Sequence, residues 1–548
     1  MPLLLVAATF GLYGSFLTAA WTHDDPYIVR HVLAHTPAEL ALSPSAWRDY
    51  NPMTFFPLQL WSFKLDSALF GIAIPAYRVH QLLSLAAAAC LLYRVGRHAA
   101  TELSALVAVL VFLLGPITAG MAEKLMTRHY VEGAALALGA TLAFLRAERA
   151  PRPGRWAVLA AVLYLLSVLA KEVYAPLPAV LFLCGRSRER WRHYLILLSG
   201  LPLALLYRLF MVGAFARVYR SDIWTPDALW QNAIQFARRA PVVLIGGEPG
   251  LRAAVVLLGG VLVLGAVATF PRAGGRMLAS AIAVLSPALL VAESLDDRHL
   301  FPAWILVALA VGWSASRLGA LGARAWRIPL AAAVVLLVTL LGVTNRRVVK
   351  AELEETRLYT RLWEFVFRDG RSGDCILMPE AVLGLGYQYA ALSWMRRHAG
   401  DGEAGPEIVV AEEQALCAVE LPSSLRRFRY DGTRVVPDPD LDRRLERVCL
   451  AFRRDEPFGA KLTYRAPLLT WDLQPFAGAG NYSALLSRTN PYYEVLLQSF
   501  PFSRKGTIWQ LPDRPLLRLR FLYRSAQGWF AVSPEIDVLL KPEGFVSP

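Results

Sequence analysis

Four short stretches of this 548-residue chain set carboxylates and cations side by side in apolar surroundings. The first is Asp24-Asp25, preceded by Trp21, Thr22 and His23 and followed by Pro26 and Tyr27. Adjacent carboxylates suit general-base chemistry, because one accepts a proton while its neighbour raises its pKa or orients the acceptor. The same pair also reads as a helix start, since Asp is a good N-cap and Pro suits the first turn. The second stretch holds Glu123, Lys124, Arg128, His129 and Glu132, the third is Lys171-Glu172 with Tyr174, Pro176 and Pro178 behind it, and the fourth is Asp296-Asp297-Arg298-His299. Arg78 and His80, beside Gln81, are a further polar set at the end of an apolar run. With 50 Arg and only 7 Lys in the chain, Lys124 and Lys171, each next to a Glu, are not generic surface charges. Each could pair with its neighbouring carboxylate or hold a lipid phosphate, and helix capping or snorkelling at a membrane boundary is the alternative for every cluster.

The elements that must position these residues are membrane helices. Hydrophobic residues make up 55% of the chain and charged residues 18%, with a mean hydropathy of +0.40; soluble domains carry about 25% charged residues, so a soluble cytosolic enzyme is excluded. Apolar runs near 1 to 20, 76 to 93, 103 to 121, 130 to 145, 156 to 170, 173 to 184, 194 to 212, 251 to 270, 277 to 292, 300 to 316 and 328 to 344 predict about eleven spans, some of them short. The fold class expected is therefore a polytopic α-helical membrane region over 1–344, followed by a mixed α/β domain over 345–548. Of the net charge of +14, +12 falls within residues 1–344 and +2 within the remainder. Alternate connections hold fifteen arginines, among them Arg94, Arg97, Arg146, Arg149, Arg276 and Arg317. Basic loops favour the cytoplasmic side, which places the N-terminus inside and both the tail and the four acid–base stretches outside, in or on the inner membrane. The first span has no basic n-region and reads as a retained helix.

The first outer loop, 21–75, contains a helix from Leu58 to Leu69 that the pattern lays along the membrane surface, with Trp47, Trp61 and Phe63 as headgroup anchors. In the tail, Asp374 to Met378 and Glu407 to Val410 read as strands around a helix from Gly386 to His398, and shorter strands follow at 461–464, 507–511, 516–523 and 529–532. Tyr482, Tyr492, Tyr493, Trp509 and Trp529 offer stacking faces for sugars, although aromatics at this density more often build a core. The near-neutral tail argues against nucleic acid. Cys375, Cys417 and Cys449 permit one disulfide in an oxidising compartment, and no cysteine spacing resembles a zinc site.

Carboxylates for proton abstraction and cations for an anionic leaving group, gathered at one membrane face, match the needs of sugar transfer from a polyprenyl phosphate. The chain resembles the GT-C superfamily of membrane glycosyltransferases, particularly its protein O-mannosyltransferase, aminoarabinose transferase and transmembrane tetratricopeptide-repeat mannosyltransferase branches. The resemblance rests on Asp24-Asp25 after the first span, the passage from Phe70-Gly71 to Tyr77-Arg78 and His80, Lys171-Glu172 with Pro176 and Pro178, and Arg298-His299-Leu300, and it covers roughly the first 344 residues. It implies an inverting transfer to a glycan, lipid or protein acceptor. Carried over, Asp24 is the base, Asp25 its partner or the group that positions the acceptor, and Lys171 and Arg298, with Arg78, the cations on the donor phosphate; Glu172, Lys124, Arg128, His129 and His80 line the cavity. The tail has no tetratricopeptide repeats, and only Thr470-Trp471-Asp472 stands near the Trp-Trp-Asp motif of oligosaccharyltransferases. No cofactor is required and no metal site is expected, although Asp296 and Asp297 could help bind a divalent cation. A transporter or flippase of lipid-linked saccharides is the competing class; it would be expected to place ionisable groups at the bilayer midplane with symmetry between halves.

Overall fold

The computed structural model describes residues 1–51, 54–184, 191–213, 226–245, 249–289, 295–320 and 324–369, and in the tail 374–378, 395, 407–410, 413–417, 426–431, 434–456, 458–465, 468–477, 479–487, 495–502, 504–508, 516–534, 536–539 and 545–546. Contacts divide the chain into two units, the first made of Met1–Ala19 and His35–Glu355 and the second of Ala20–Ala34 and Thr356–Pro548. The division differs from a cut at residue 344, because the long helix Arg324–Glu364 carries on well past the apolar run and residues 20–34 group with the tail.

Unit one is helical. Among the described residues, seven helices are long and apolar enough to cross a membrane, Ile74–His98, Leu125–Ala147, Pro153–Ala170, Trp191–Val212, Pro249–Thr269, Asp297–Gly319 and Arg327–Arg361, and an eighth span is possible if a bent pair counts as one. The protein is thus a multi-pass membrane protein, and seven of the eleven expected runs are full-length spans among the described residues. The difference lies in four runs. Those at the N-terminus and at 173–184 form shorter apolar helices, Pro2–Thr18 and Glu172–Leu183. The run at 103–121 is broken, and that at 277–292 begins in Pro271–Leu289, which is not among the seven, and continues outside the described residues.

The broken run shows how sequence dictates geometry here. Glu102–Leu113 and Pro116–Glu123 meet at 58° around Gly115. Pro116 has no N–H, so Phe112 O loses its usual i+4 donor; it accepts instead from Trp304 Nε1 at 3.2 Å, from Gly115 N at 3.3 Å and from the Thr118 hydroxyl. Tyr13 OH bonds Leu113 O, and Asn345 Nδ2 bridges Tyr13 OH at 2.8 Å and Gly115 O at 3.2 Å. Backbone groups freed at a bend in apolar surroundings need such partners. A Cβ at residue 115 would lie 2.3 Å from the Trp304 indole, so the bend packs only with glycine.

Leu58–Leu69 does lie in a helix, Pro57–Phe70, but two of its expected headgroup anchors are buried in protein. Phe63 sits 4.4 Å beneath the Arg128 guanidinium, and Trp47 packs edge-on against Tyr50, Phe55 and Phe56.

In unit two, Asp374–Met378 pairs in parallel with Glu407–Val410 and with Arg426–Tyr430. The sheet continues through Val495–Phe502, Gly480–Ser487 and Leu516–Ser525, where the pairing becomes antiparallel. A four-stranded antiparallel sheet around Ala460–Arg465 and Leu468–Leu473 adjoins a core containing Phe458, Leu462, Trp471, Phe521 and Tyr523. The expected α/β tail is therefore present. Tyr482 and Trp529 belong to this aromatic packing, with ring centroids 4.9 and 5.4 Å from that of Tyr523. Cys417 and Cys449 form a disulfide. The helix expected over 386–398, and Tyr492, Tyr493 and Trp509, lie outside the described residues apart from Met395.

Candidate functional site

Three helix ends of unit one bring their charged residues together. Lys171 follows the last turn of Pro153–Ala170, Lys124 follows Pro116–Glu123, and Asp296 caps the start of Asp297–Gly319, its carboxylate accepting from Asp297 N at 2.7 Å while His299 Nδ1 accepts from Asp296 N at 3.1 Å. A carboxylate at a helix N-terminus is stabilised by the backbone dipole, so the cap and the charge cluster are one feature.

Lys171 forms the floor of the cluster. Its side chain is 9% exposed, with Glu172 Oε1 at 3.2 Å and the rings of Phe56 and Tyr130 at 4.5 and 5.6 Å from its ammonium. Phe56 stacks on His129 at 4.7 Å, and the His129 ring meets that of Tyr130 at a tilt, 4.6 Å between centroids, so an aromatic wall stands behind the amine. Burial pulls the Lys171 pKa below the ordinary lysine value; Glu172 works against this, while Arg298 and Arg208 add to the lowering. Glu172 is 40% exposed, and Arg298, 33% exposed, lies 3.5 Å from Asp296 Oδ2. The cluster therefore opens outward from a buried lysine.

Lys124 holds the second half of the site. Its ammonium lies 3.3 Å from Asp297 Oδ2 and 3.9 Å from Glu352 Oε1. Burial is the largest single influence and opposes its charge, but Asp297, Glu352, Asp296 and Glu123 together hold its pKa above the usual range. Burial likewise pushes the Asp296 carboxyl up, yet its hydrogen bonding with Asp297 and the nearby Lys124 and Arg298 bring it below the usual carboxylate value. Gly120 makes this closeness possible, since a Cβ there would meet Asp297 Oδ2 at 2.1 Å. Among the described residues, no three His, Cys, Asp or Glu side chains converge as a metal site would require.

Arg78, His80 and Arg128 sit elsewhere, in a buried lattice that ties Pro57–Phe70 to its neighbours. Arg128, whose side chain is fully buried, pairs with Asp66 and donates to Tyr77 O at 2.8 Å and to Ser62 Oγ at 3.3 Å. His80 Nδ1 lies 2.8 Å from Asp66 Oδ1, and Ser62 donates to Glu132 at 2.6 Å. The Arg78 guanidinium donates to Glu123 O.

Asp24 and Asp25 belong to unit two. The Asp25 side chain is buried and accepts from Thr22 N at 3.0 Å and Thr22 Oγ1 at 3.3 Å, closing the turn that starts the helix Asp25–Ala34. Asp24 is half-buried, and its carbonyl accepts the first helical bond, from Ile28 N at 3.0 Å. His23 has φ +48°, a left-handed conformation that costs about 1–3 kcal/mol for such a residue and needs support from its surroundings. In the same unit the His23 ring lies 5.6 Å from that of Tyr359, and Ala20 N reaches Thr360 Oγ1 at 3.4 Å. The helix-start reading is thus realised at this pair, with a strained residue directly before Asp24.

Two features escaped the sequence reading. Arg208 stands inside an apolar run, where an ionisable residue is expensive unless it faces a cavity or partner, and that cost was its signal. The other is a cavity of about 630 Å³ in unit one, whose lining passes from Val173, Tyr174 and Pro302 to Trp313 and Arg317. Residues 302 to 317 lie on one helix, so the cavity runs for roughly 22 Å at 1.5 Å per residue.

No family model and no curated protein matches the chain. Among solved structures it is similar to ArnT from Cupriavidus metallidurans, determined in the apo state and bound to undecaprenyl phosphate, at 13% identity and TM-score 0.46, with 79% of this chain and 93% of that chain covered. It is also similar to the arabinofuranosyltransferase AftD from Mycobacteria, at 15% identity and TM-score 0.42 over 69% of this chain and 29% of that one. A third similarity is to the archaeal oligosaccharyltransferase AglB from Archaeoglobus fulgidus in complex with an inhibitory peptide and a dolichol-phosphate, at 11% identity and TM-score 0.45 over 87% and 74% of the two chains.

Proposed function

We propose that the protein is a membrane glycosyltransferase that takes a sugar from a polyprenyl phosphate and delivers it, with inversion, to a glycan, lipid or protein acceptor on the outer face of the inner membrane. One observation carries the reading: Lys171, a buried lysine 3.2 Å from Glu172 and backed by Phe56 and Tyr130, stands just before Val173 and Tyr174, which begin the lining of the long cavity. A buried ammonium suits a phosphate, and the long apolar cavity suits an isoprenoid tail. In the transfer, the acceptor oxygen bonds to the anomeric carbon as the carbon–oxygen bond to phosphate breaks. The departing lipid phosphate then carries the negative charge that Lys171 and Arg298 stabilise. No metal or other cofactor is assigned a part in this step.

The base is a separate assignment, made from the sequence. Asp24 is proposed to take the proton of the acceptor hydroxyl, and Asp25, engaged with Thr22, to hold the turn in which Asp24 sits. The test compares cells and reconstituted vesicles carrying wild-type protein or Asp24→Asn. The variant should fold, insert and bind polyprenyl phosphate while releasing none of it from a lipid-linked sugar, and mass analysis of surface glycans, lipids and proteins should show the same missing sugar as in a deletion strain. Full transfer by Asp24→Asn removes the base assignment. Movement of the intact lipid-linked sugar across vesicles, without release of lipid phosphate, replaces the enzyme with a flippase.

A further inference from the structure

The helix ends of unit one opposite to Lys124 and Lys171 hold a second cavity, of about 560 Å³. Its apolar wall is made by Leu91, Leu142, Ala143 and Leu159, and its rim by Arg94, Arg97 and Arg146 with His98 and Trp156. Among the described residues that line it, none is acidic. Arg94 and Arg97 are three apart on the helix Ile74–Ala99 and so share a face, where like charges repel unless an anion separates them. Arg146 comes from the adjacent helix Arg128–Ala147 and lies 4.9 Å over the Trp156 ring. His98, in turn, lines the larger apolar cavity as well, and Arg149 Nη1 lies 3.5 Å from its Nδ1.

We infer that this cavity is a binding site for an anionic glycerophospholipid, its phosphodiester held by Arg94, Arg97 and Arg146 and its acyl chains lying along Leu91, Leu142 and Leu159. Three features select this occupant. Guanidinium groups recognise phosphate oxygens in a planar fork. The rim pairs them with an indole, a ring that favours the headgroup level of a bilayer. The wall directly beneath is aliphatic, and Leu159 is 42% exposed beside it, as a surface meeting acyl chains would be. A small soluble anion would use the rim and leave the wall bare. The site is distinct from the donor cluster at Lys171 and does not depend on the glycosyltransferase reading.

The experiment uses full-length protein in vesicles of phosphatidylcholine alone or mixed equally with phosphatidylglycerol, followed by gentle detergent extraction, native mass spectrometry of retained lipid and thermal unfolding. Wild type should retain a phosphatidylglycerol molecule and melt higher with it, and inorganic phosphate should give neither effect. Arg97→Gln/Arg146→Gln should weaken apparent phosphatidylglycerol affinity by about 30-fold, on the basis of the usual contribution of each basic residue to anionic lipid binding. Arg97→Lys/Arg146→Lys should keep most of the affinity, which separates loss of charge from misfolding, and Arg155→Gln, outside the cavity, should behave as wild type. Equal retention of phosphatidylcholine and phosphatidylglycerol, equal retention by the Gln double variant, or a full response to inorganic phosphate alone would each overturn the inference.

Discussion

Replacing Lys171 with methionine isolates the donor-phosphate contact, because methionine fills a similar volume against Phe56 and Tyr130 without the charge. A unit charge about 4 Å from a phosphate is worth roughly 4 kcal/mol at an effective dielectric constant near 20, which is an upper bound. Two observations reduce it: Glu172, 3.2 Å away, already competes for the ammonium, and Arg298 and Arg208 remain after the change. The net value of one charge-assisted hydrogen bond, about 1.5–3 kcal/mol, is the better guide, and its lower half corresponds to roughly 13- to 45-fold weaker binding. Polyprenyl phosphate titrated into reconstituted protein gives the dissociation constant. The pH profile gives a second readout. Above about pH 8, where the phosphate no longer changes charge, binding should fall as Lys171 loses its proton. The fall should be centred below the ordinary lysine value, because burial disfavours the ammonium. Lys171→Arg should move the fall beyond the accessible range. Unchanged affinity in Lys171→Met, together with a flat alkaline profile in wild type, would refute the placement of the phosphate at this amine.

Two further outcomes follow from the packing. Arg128→Met leaves Asp66 buried beside His80 without its guanidinium partner, and breaking such a pair costs about 3–5 kcal/mol; thermal unfolding in detergent should show the loss, Arg128→Met/Asp66→Asn should recover part of it, and polyprenyl-phosphate affinity should stay constant throughout. Cys417→Ser opens a cross-link spanning 32 residues, worth about 4 kcal/mol in the chain-entropy account, and proteolysis at rising temperature should find the C-terminal unit opening roughly ten degrees earlier.

Much of the helical layout was legible, since hydropathy reports directly on burial in lipid; each of the eleven apolar runs overlaps described helices. What hydropathy does not report is where a run breaks. The bend at Gly115-Pro116 depends on Trp304, almost two hundred residues away, supplying a hydrogen bond to Phe112 O. The charged residues divide in the same way. Lys171 and Glu172 are neighbours in sequence and in space, so their pairing was readable, whereas Arg78 and Arg128 stand in comparable sequence surroundings and turn into buried braces because Asp66 and the carbonyls of Tyr77 and Glu123 happen to meet them. The same limit hid the grouping of residues 20–34 with the tail, which rests on packing between distant segments. In the tail, individual strands followed from their apolar residues, but the placing of Val495–Phe502 next to Glu407–Val410 is a long-range pairing with no local sign.

The contact between Lys124 and Asp297 joins the carbonyl end of one helix to the amide end of another. Each charge sits where its own helix favours it, so the two backbone dipoles and the ion pair reinforce one another. Both side chains are only about one-seventh exposed, which shields them from counterions that act on open surface charges over a Debye length of about 10 Å at 0.1 M salt. Raising ionic strength should therefore loosen the arginine rim at the far end of the bundle long before it loosens this clasp, giving the two ends of one protein unequal sensitivities to the salt around them.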